Sequence, residues 1–547
     1  MALKSLEIRF TTNVDRPSIG VFNPIYCGRP QFESRHEMSD LRMKELPRAK
    51  GFSFNMEPPY VNFKTLRSML NGGCGEMATR VVATKSRSWI TPDFVYDNLL
   101  NYCYPTKGRF SCPVYDEVLQ ELEHQFVPSE RVKPLPFREA ARTIPQSTSP
   151  GLPYIIQNPG SKKGDILDSQ MERIEKFWVD VGEGRKSFLP DCAAFARSHI
   201  GDAGANKVRP VWAYPLDVVA AEAMFVQPIL DQLKDQNIGR NTAYGMEMMK
   251  GGMEWLHHQS LHAKYQDPGA KFLMMDFSSF DSSIPAWLIR DCFKVLFKAF
   301  DLSVNGKYYY HVYKRLVSYF INTPVRNSDG RRLLTDHGVP SGSMFTNIIG
   351  TMVNFVITRY AVKRMMNCDP LFDIYFGDDS FVCLRSECLV DLGALKEFMY
   401  DAFGVTLSDK KTFWTNRVEN IHFLGYYNNS GTPYKSSEEL FASMLFPQYN
   451  KDDWSYTMAR AMGCLMASAG NNFDVYMAVL SVYNRAQHHE GAIEAALDLI
   501  RNNARMRRHM LNMGLDPGEI SYRYLADYRL VVPRSDCSKI LNNIVLC

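Results

Sequence analysis

No two cysteines of this chain stand as C-x-x-C, and no Cys/His cluster has zinc spacing, which excludes a zinc ribbon or a thioredoxin-like redox motif. The twelve cysteines are scattered, so reduced thiols in a cytosolic setting are expected. No uncharged apolar run reaches about 18 residues, and no transmembrane helix is expected. The opening stretch, MALKSLEIRFTTNVD, carries charges too early and too often for a signal peptide. Internal repeats and low-complexity tracts are lacking. Charge of one sign is also scarce. The formal net charge is +4, weaker than expected of a protein whose whole surface binds nucleic acid. It suits a protein that lines one channel with Lys and Arg and keeps its acids elsewhere.

The 547 residues exceed one hydrophobic core, so two to four structural units are expected. The first 140 or so mix Pro, Gly, Arg and aromatics without period, which predicts loops and short elements. Residues 214–234 predict a mostly apolar helix. Residues 271–276 (KFLMMD) predict a short buried strand ending in an acid. Residues 284–300 predict an amphipathic helix with Pro285 in its first turn. A helix is predicted over 343–365, after the turn GVPSGS. Residues 371–384 (LFDIYFGDDSFVCL) form two apolar runs around Gly-Asp-Asp and predict a β-hairpin. Residues 391–403 predict a helix stopped by Gly404. From about 430 onward helical patterns dominate, 486–510 among them, and that shift marks a candidate domain boundary.

The acids are the chemistry-bearing feature. Nucleotidyl transfer brings a hydroxyl to a highly charged triphosphate, and two Mg²⁺ ions about 4 Å apart ease both attack and departure. Such ions take oxygen ligands and keep waters, so two or three convergent carboxylates suffice. Asp276 ends an apolar strand, while Asp378 and Asp379 sit at a hairpin tip after Gly377, which permits a tight turn. Gly-Asp-Asp alone arises by chance in roughly one chain of this size in ten, and Asp-Asp in a turn is ordinary turn chemistry. Only its context raises it above that.

The order of motifs resembles the palm of viral RNA-dependent RNA polymerases. Asp276-Phe277-Ser278-Ser279-Phe280-Asp281 is similar to their first palm motif, and Gly338 through Thr346 (GVPSGSMFT) to the second. Gly377-Asp378-Asp379 resembles the third, Gly404 through Lys410 (GVTLSDK) the fourth, and Phe423-Leu424-Gly425 the fifth. Upstream, Thr148 through Tyr154 (TSPGLPY) looks like the template-guiding motif, and Lys207-Val208-Arg209 like the basic finger motif. These motifs keep one order across residues 148–425. The form GVPSGSxFT, with Asn354 thirteen residues after Ser341, is nearest to the partitivirus and picobirnavirus group, picobirnaviruses above all.

The resemblance implies an α+β right hand whose palm is an antiparallel sheet backed by helices and closed by N-terminal fingertips. Fingers are expected over 1–212 and 302–336, palm over 213–301 and 337–428, thumb and C-terminal segment over 429–547. It implies Mg²⁺ or Mn²⁺, two ions, on Asp276, Asp378 and Asp379, with a lesser metal role for Asp379. Asp281 is expected at the ribose of the incoming nucleotide, where a carboxylate can read the 2′-OH. Many relatives hold this acid with an Asn at the position of Gly350; Ser341, Thr346 and Asn347 are substitutes by position. Capping or backbone bonding competes with each of these roles.

Lys207 and Arg209 alternate about Val208, so an extended segment points both the same way, toward a triphosphate; Arg197 is a candidate third cation. Lys410 is the expected general acid toward pyrophosphate, with Lys411 adjacent and the choice open. Ser149 and Gly151 are expected to guide the template, against a plain Pro-Gly turn. Arg501, Arg505, Arg507 and Arg508 are weighed as a solvated helix face before an RNA contact.

The implied activity is RNA-directed RNA synthesis from ribonucleoside triphosphates for replication and transcription of a double-stranded RNA genome, without a primer. Its partners are template and nascent RNA and a viral capsid protein, with no membrane. The expected location is the virion interior and host cytoplasm. Two alternatives stand. A reverse transcriptase or terminal nucleotidyltransferase shares the acids, but the GVPSGS loop and the lack of a ribonuclease H-like tail weigh against it. A non-catalytic RNA-binding or packaging descendant would be favoured by a lost acid, and all three acids are present. The terminal stretch SKILNNIVLC is apolar enough to dock, on the chain's own core or in its cavity.

Overall fold

The apolar runs around Gly377 and Asp378 pair as predicted and build the central sheet. Its strands are β1 (Lys271–Met275), β2 (Phe372–Phe376), β3 (Asp379–Leu384) and β4 (Phe413–Thr415), in the order β2-β3-β1-β4, all antiparallel. The computed structural model describes residues 44–54, 58–185, 188–206, 208–235, 239–448, 451, 453–512, 516–527 and 529. Lys207 and the SKILNNIVLC stretch lie outside them.

Strands β1 and β3 are apolar on both faces because a core lies on each side. Leu273, Met275, Val382 and Leu384 enter one core. Their neighbours Phe272, Met274, Phe381 and Cys383 enter the other, as period two dictates. Among the helices of the first core are α1 (Leu216–Lys234), α2 (Ala286–Phe297), α3 (Thr346–Ala361) and α4 (Leu392–Phe403). Helix α4 begins at Asp391, whose side chain accepts from Ala394 N–H at 3.1 Å, and stops at Gly404, in the left-handed region at φ 79°. The second core joins helix Gly252–Gln266 to the C-terminal helices Ser437–Leu445, Trp454–Ala467, Phe473–Ala486 and Ala492–Asn502.

A second, five-stranded sheet runs in the order Glu45–Leu46, Arg332–Leu334, Pro324–Arg326, Cys192–Ser198, Val208–Ala213. Only the pairing of Cys192–Ser198 with Pro324–Arg326 is parallel. The class is mixed α+β.

Two expectations need correction. The first 140 residues hold more than loops and short elements: helices span Phe63–Asn71, Gly75–Thr84, Pro92–Leu100, Pro113–Phe126 and Phe137–Thr143. Their starts are set by Asn62 and Thr91, whose side chains accept main-chain N–H groups, and by Pro92 and Pro113 in the first turn. The helical pattern over 486–510 is borne out as successive helices. Helix Phe473–Ala486 ends, Gly491 turns in the left-handed region, and Ala492–Asn502 and Ala504–Asn512 follow. Pro285 precedes α2 as its cap residue, not inside its first turn.

Among the described residues no helix is long and apolar enough to cross a membrane. Nine described cysteines are free thiols.

Candidate active site

Strand register brings the three acids to one edge. Met275 pairs with Ser380 across β1 and β3, so the next residue on one strand, Asp276, and the preceding residue on the other, Asp379, flank each other. The β2–β3 hairpin closes on Phe376 and Asp379, leaving Gly377 and Asp378 as a two-residue tip. Gly377 takes φ +60° there, which a side chain would strain. The Asp276 main chain is held from the fourth-motif loop. Its N–H donates to Thr412 Oγ1 at 3.2 Å, and its carbonyl accepts from Ser408 N–H at 2.8 Å.

The acids feel one another. Burial pushes the Asp379 carboxyl up to about 7, helped by the charges of Asp378 and Asp276 and opposed by Lys411 and Arg209. Asp281 is likewise pushed up to about 7, by burial first and by Asp378 second, with Arg209 opposing. Asp281 is fixed through its main chain: its carbonyl accepts from Val339 N–H at 2.6 Å. A Cβ on Gly338, at φ +83°, would fall 2.7 Å from that same carbonyl oxygen, so the first and second motifs fit only through glycine.

The cations arrive from the second sheet. Arg209 and Arg197 are direct cross-strand partners, so both side chains leave on one face, and both are exposed. Lys411 Nζ lies 3.2 Å from Asp276 Oδ2, while Lys410 stands in the field of Asp202 on the short strand Ile200–Asp202.

Other sequence candidates have local duties. Ser341 Oγ accepts from Trp212 N–H at 3.2 Å. The Thr346 hydroxyl donates to the carbonyls of Pro340 and of Ser343, so it is spent on its own loop. Asn347 Oδ1 accepts from the Tyr244 hydroxyl, and its amide borders the Gly377 tip. Gly350 faces Gly377 and the Phe280 ring. Ser149 is exposed and its Oγ accepts from Gly151 N–H at 3.3 Å. Gly151 is buried, where a Cβ would meet Tyr214 O at 2.7 Å, so its glycine is explained by packing.

The donor set fits oxygen-seeking divalent ions. Three carboxylates share one sheet edge, Asp379 is raised by burial first and by its acidic neighbours after it, and a cation relieves both the desolvation and the repulsion. Among the described residues no three His, Cys, Asp or Glu close on a single metal position. An ion that takes one or two carboxylates and fills the rest of its shell with water and phosphate does not need three.

Sequence reasoning missed Glu222, Thr351 and the part played by Asn354. Glu222 is fully buried on α1 and accepts from Ser343 Oγ at 2.7 Å and Met344 N–H at 2.8 Å. An acid inside an otherwise apolar helix was its available signal.

A family model described as viral RNA-dependent RNA polymerase matches residues 80–449. The RNA-directed RNA polymerase of Cryptosporidium parvum virus 1 (strain KSU-1) is 30% identical over 370 residues, 63% of this chain and 66% of that one. The enzyme of the same name from Atkinsonella hypoxylon virus (isolate 2H) is 26% identical over 349 residues, 53% of this chain and 51% of that one. This chain therefore spans under two thirds of the first of these relatives and about half of the second. In fold, it is similar to the crystal structure of an insertion-loop deletion mutant of a human picobirnavirus RNA-dependent RNA polymerase. The TM-score is 0.60 at 13% identity, covering 83% of this chain and 88% of that one.

Proposed function

Because the chain belongs to the viral RNA-dependent RNA polymerase family, we propose that it copies an RNA template from ribonucleoside triphosphates, for replication and transcription of a viral genome. The observation that carries this is the β1–β3 register, which sets Asp276 beside Asp379 with Asp378 at the adjoining tip. Asp276 and Asp378, with a lesser part for Asp379, would hold two Mg²⁺ or Mn²⁺ ions. When bound, such ions activate the primer-end hydroxyl and neutralise the departing pyrophosphate.

The side chains divide the remaining work. Arg209, with Arg197 beside it and Lys207, grips the triphosphate. Arg suits that role because its planar fork takes two phosphate oxygens. Asp281 accepts a hydrogen bond from the ribose 2′-OH, and Asn347 and Ser341 shape that side of the pocket. Lys410 gives a proton to pyrophosphate as the new ester forms. Ser149, exposed on the turn that the buried Gly151 makes possible, faces the path of the template backbone.

The right-hand division follows the same reading: fingers over 1–212 and 302–336, palm over 213–301 and 337–428, thumb beyond. Its closure is supported by the N-terminal helices, which pack on the C-terminal ones. Lys85 meets Glu438 at 3.0 Å, and Arg87 Nε donates to Phe446 O at 2.8 Å. Initiation without a primer and work beside a capsid belong to the same proposal.

The test is RNA synthesis on a single-stranded template with four ribonucleotides and Mg²⁺ or Mn²⁺, without primer. An Asp378→Ala, Asp379→Ala double variant runs alongside. Template-length product from the wild type alone supports the proposal. Product only from a primed template removes primer-free initiation. Failure in both formats by folded, RNA-binding protein overturns the polymerase reading.

A further inference from the structure

Helix α3 is buried almost all round, yet one stripe of it is polar. Asn347, Thr351, Asn354 and Thr358 recur at spacings of four, three and four, which is one helical face. Thr351, Asn354 and Thr358 are 0% exposed. Burying such groups is costly unless each finds a partner. Here the partner is the hairpin tip that carries the acids.

Gly377 N–H donates to Thr351 Oγ1 at 2.8 Å. Asn354 Nδ2 donates to Gly377 O at 3.0 Å and to Asp379 O at 3.1 Å. Thr358 Oγ1 donates to Asn354 Oδ1 at 3.0 Å, so the amide has only one orientation that satisfies all three bonds. Thr351 Oγ1 itself donates to Asn347 O at 2.7 Å. Three main-chain groups of the tip thus end on two side chains of one helix. None of these bonds uses a carboxylate. Among the described residues the structure records no hydrogen bond to the Asp378 or Asp379 carboxylate, and the ion pair at this edge falls on Asp276.

We propose that Asn354 and Thr351 are positioning residues, which fix Asp378 and Asp379 for divalent ions by gripping the tip's main chain and leaving both carboxylates free. This rests on the proposed polymerase reading. Only a primary amide meets the geometry at 354, because that position must donate twice and accept once. An Asp of the same shape accepts only, and would set its charge against two carbonyl oxygens. Threonine at 351 must accept from one main-chain group and donate to another, which Val cannot do and Ser can.

The full chain, its Asn354→Asp, Thr351→Val and Thr351→Ser variants are compared by thermal melting, template RNA binding, Mn²⁺ binding followed by electron paramagnetic resonance, and steady-state synthesis. Outer-shell partners of metal ligands are worth about 10- to 100-fold in affinity or activity. Asn354→Asp and Thr351→Val are therefore expected to lose about that much in Mn²⁺ affinity and in kcat, with RNA binding and nucleotide KM unchanged and Thr351→Ser near wild type. Wild-type Mn²⁺ affinity in Asn354→Asp and Thr351→Val, or a change in melting alone, overturns the proposal. If Asn354→Asp does not fold, the Val–Ser contrast at 351 decides by the same readouts. Wild-type protein that binds Mn²⁺ but makes no RNA counts against the polymerase reading, while the Mn²⁺ comparison still decides the positioning role.

Discussion

Lys411, not its neighbour Lys410, reaches Asp276: Nζ and Oδ2 are 3.2 Å apart, and both side chains are well exposed, at 59% and 36%. Such a pair is worth little on its own. Its interest is that Lys411 would compete with a divalent ion for the Asp276 carboxylate under the proposed function. Lys410 stands in the field of Asp202, and the proposed function makes it the proton donor. Lys411→Met is expected to tighten Mn²⁺ binding by no more than about fivefold. Lys410→Ala is expected to cost about 100-fold in kcat, the lower end for general acid catalysis, with little change in nucleotide KM. Steady-state kinetics and metal titration of the two variants separate the roles. An interchange of these effects would assign the proton donor to Lys411.

Arg209 lies in the field of both Asp281 and Asp379, whereas Arg197 joins it only through strand register. A charge-assisted hydrogen bond contributes about 1.5–3 kcal/mol. Arg209→Ala should therefore raise the nucleotide KM by about 10- to 100-fold, and Arg197→Ala by less. Arg209→Lys should recover only part of the loss, because a point charge does not reproduce the fork. Nucleotide titrations at fixed template concentration check all three.

Sugar choice is expected to depend on Asp281 and to tolerate a small change at Gly350. A Cβ at 350 would meet Gly377 Cα at 3.6 Å and the Phe280 ring at 3.9 Å, both ordinary contacts. Gly350→Ala should keep activity and gain about 0.5–1 kcal/mol from helix propensity. Asp281→Ala should lose about 10-fold or more of the preference for ribonucleotides over deoxyribonucleotides, the worth of one hydrogen bond to a charged group. Competition assays with both nucleotide sets measure it. An unchanged preference in Asp281→Ala would remove this acid from sugar recognition.

What could be read from the residues was whatever is local and periodic. The run KFLMMD, the hairpin around Gly377 and the apolar helix α1 each carry their period within a dozen or so residues, and each formed where expected. The early helices were missed because their start signals are single residues, Asn62 and Thr91 as caps, scattered among prolines that argue for loops. Distinguishing Lys410 from Lys411 needed the loop's path after Ser408, which adjacent identical residues do not reveal. Thr346 was read as a candidate for the sugar pocket, and its hydroxyl is instead taken by Pro340 and Ser343 carbonyls. Glu222 lies 121 residues from the Ser343 it meets, so no spacing rule could join them.

That buried acid sets a pH dependence. Burial pushes Glu222 up to about 7 from its usual 4.5, against the hydrogen bonds from Ser343 and Met344 and the charge of Lys163. Lys163 is itself pushed down to about 8 by burial. Tyr214, Tyr319 and Cys192, which also face Glu222, are driven far above their usual values and stay neutral at physiological pH. A carboxyl with a raised folded value contributes stability that is complete below about 4.5 and is lost as pH rises through about 7. A shift of this size corresponds to roughly 3 kcal/mol. Glu222→Gln cannot ionise, and it keeps the neutral acid's pattern, with its amide oxygen accepting from Met344 N–H and its NH2 directed to Ser343 Oγ. The two proteins should therefore melt alike near pH 5, and wild type should fall below Glu222→Gln by pH 7.5, where Lys163 also begins to lose its proton. Thermal melting of both proteins across that window is the measurement. A gap independent of pH would mean that Glu222 is ionised throughout, and that the second-motif loop is held by a buried carboxylate, not by a neutral acid.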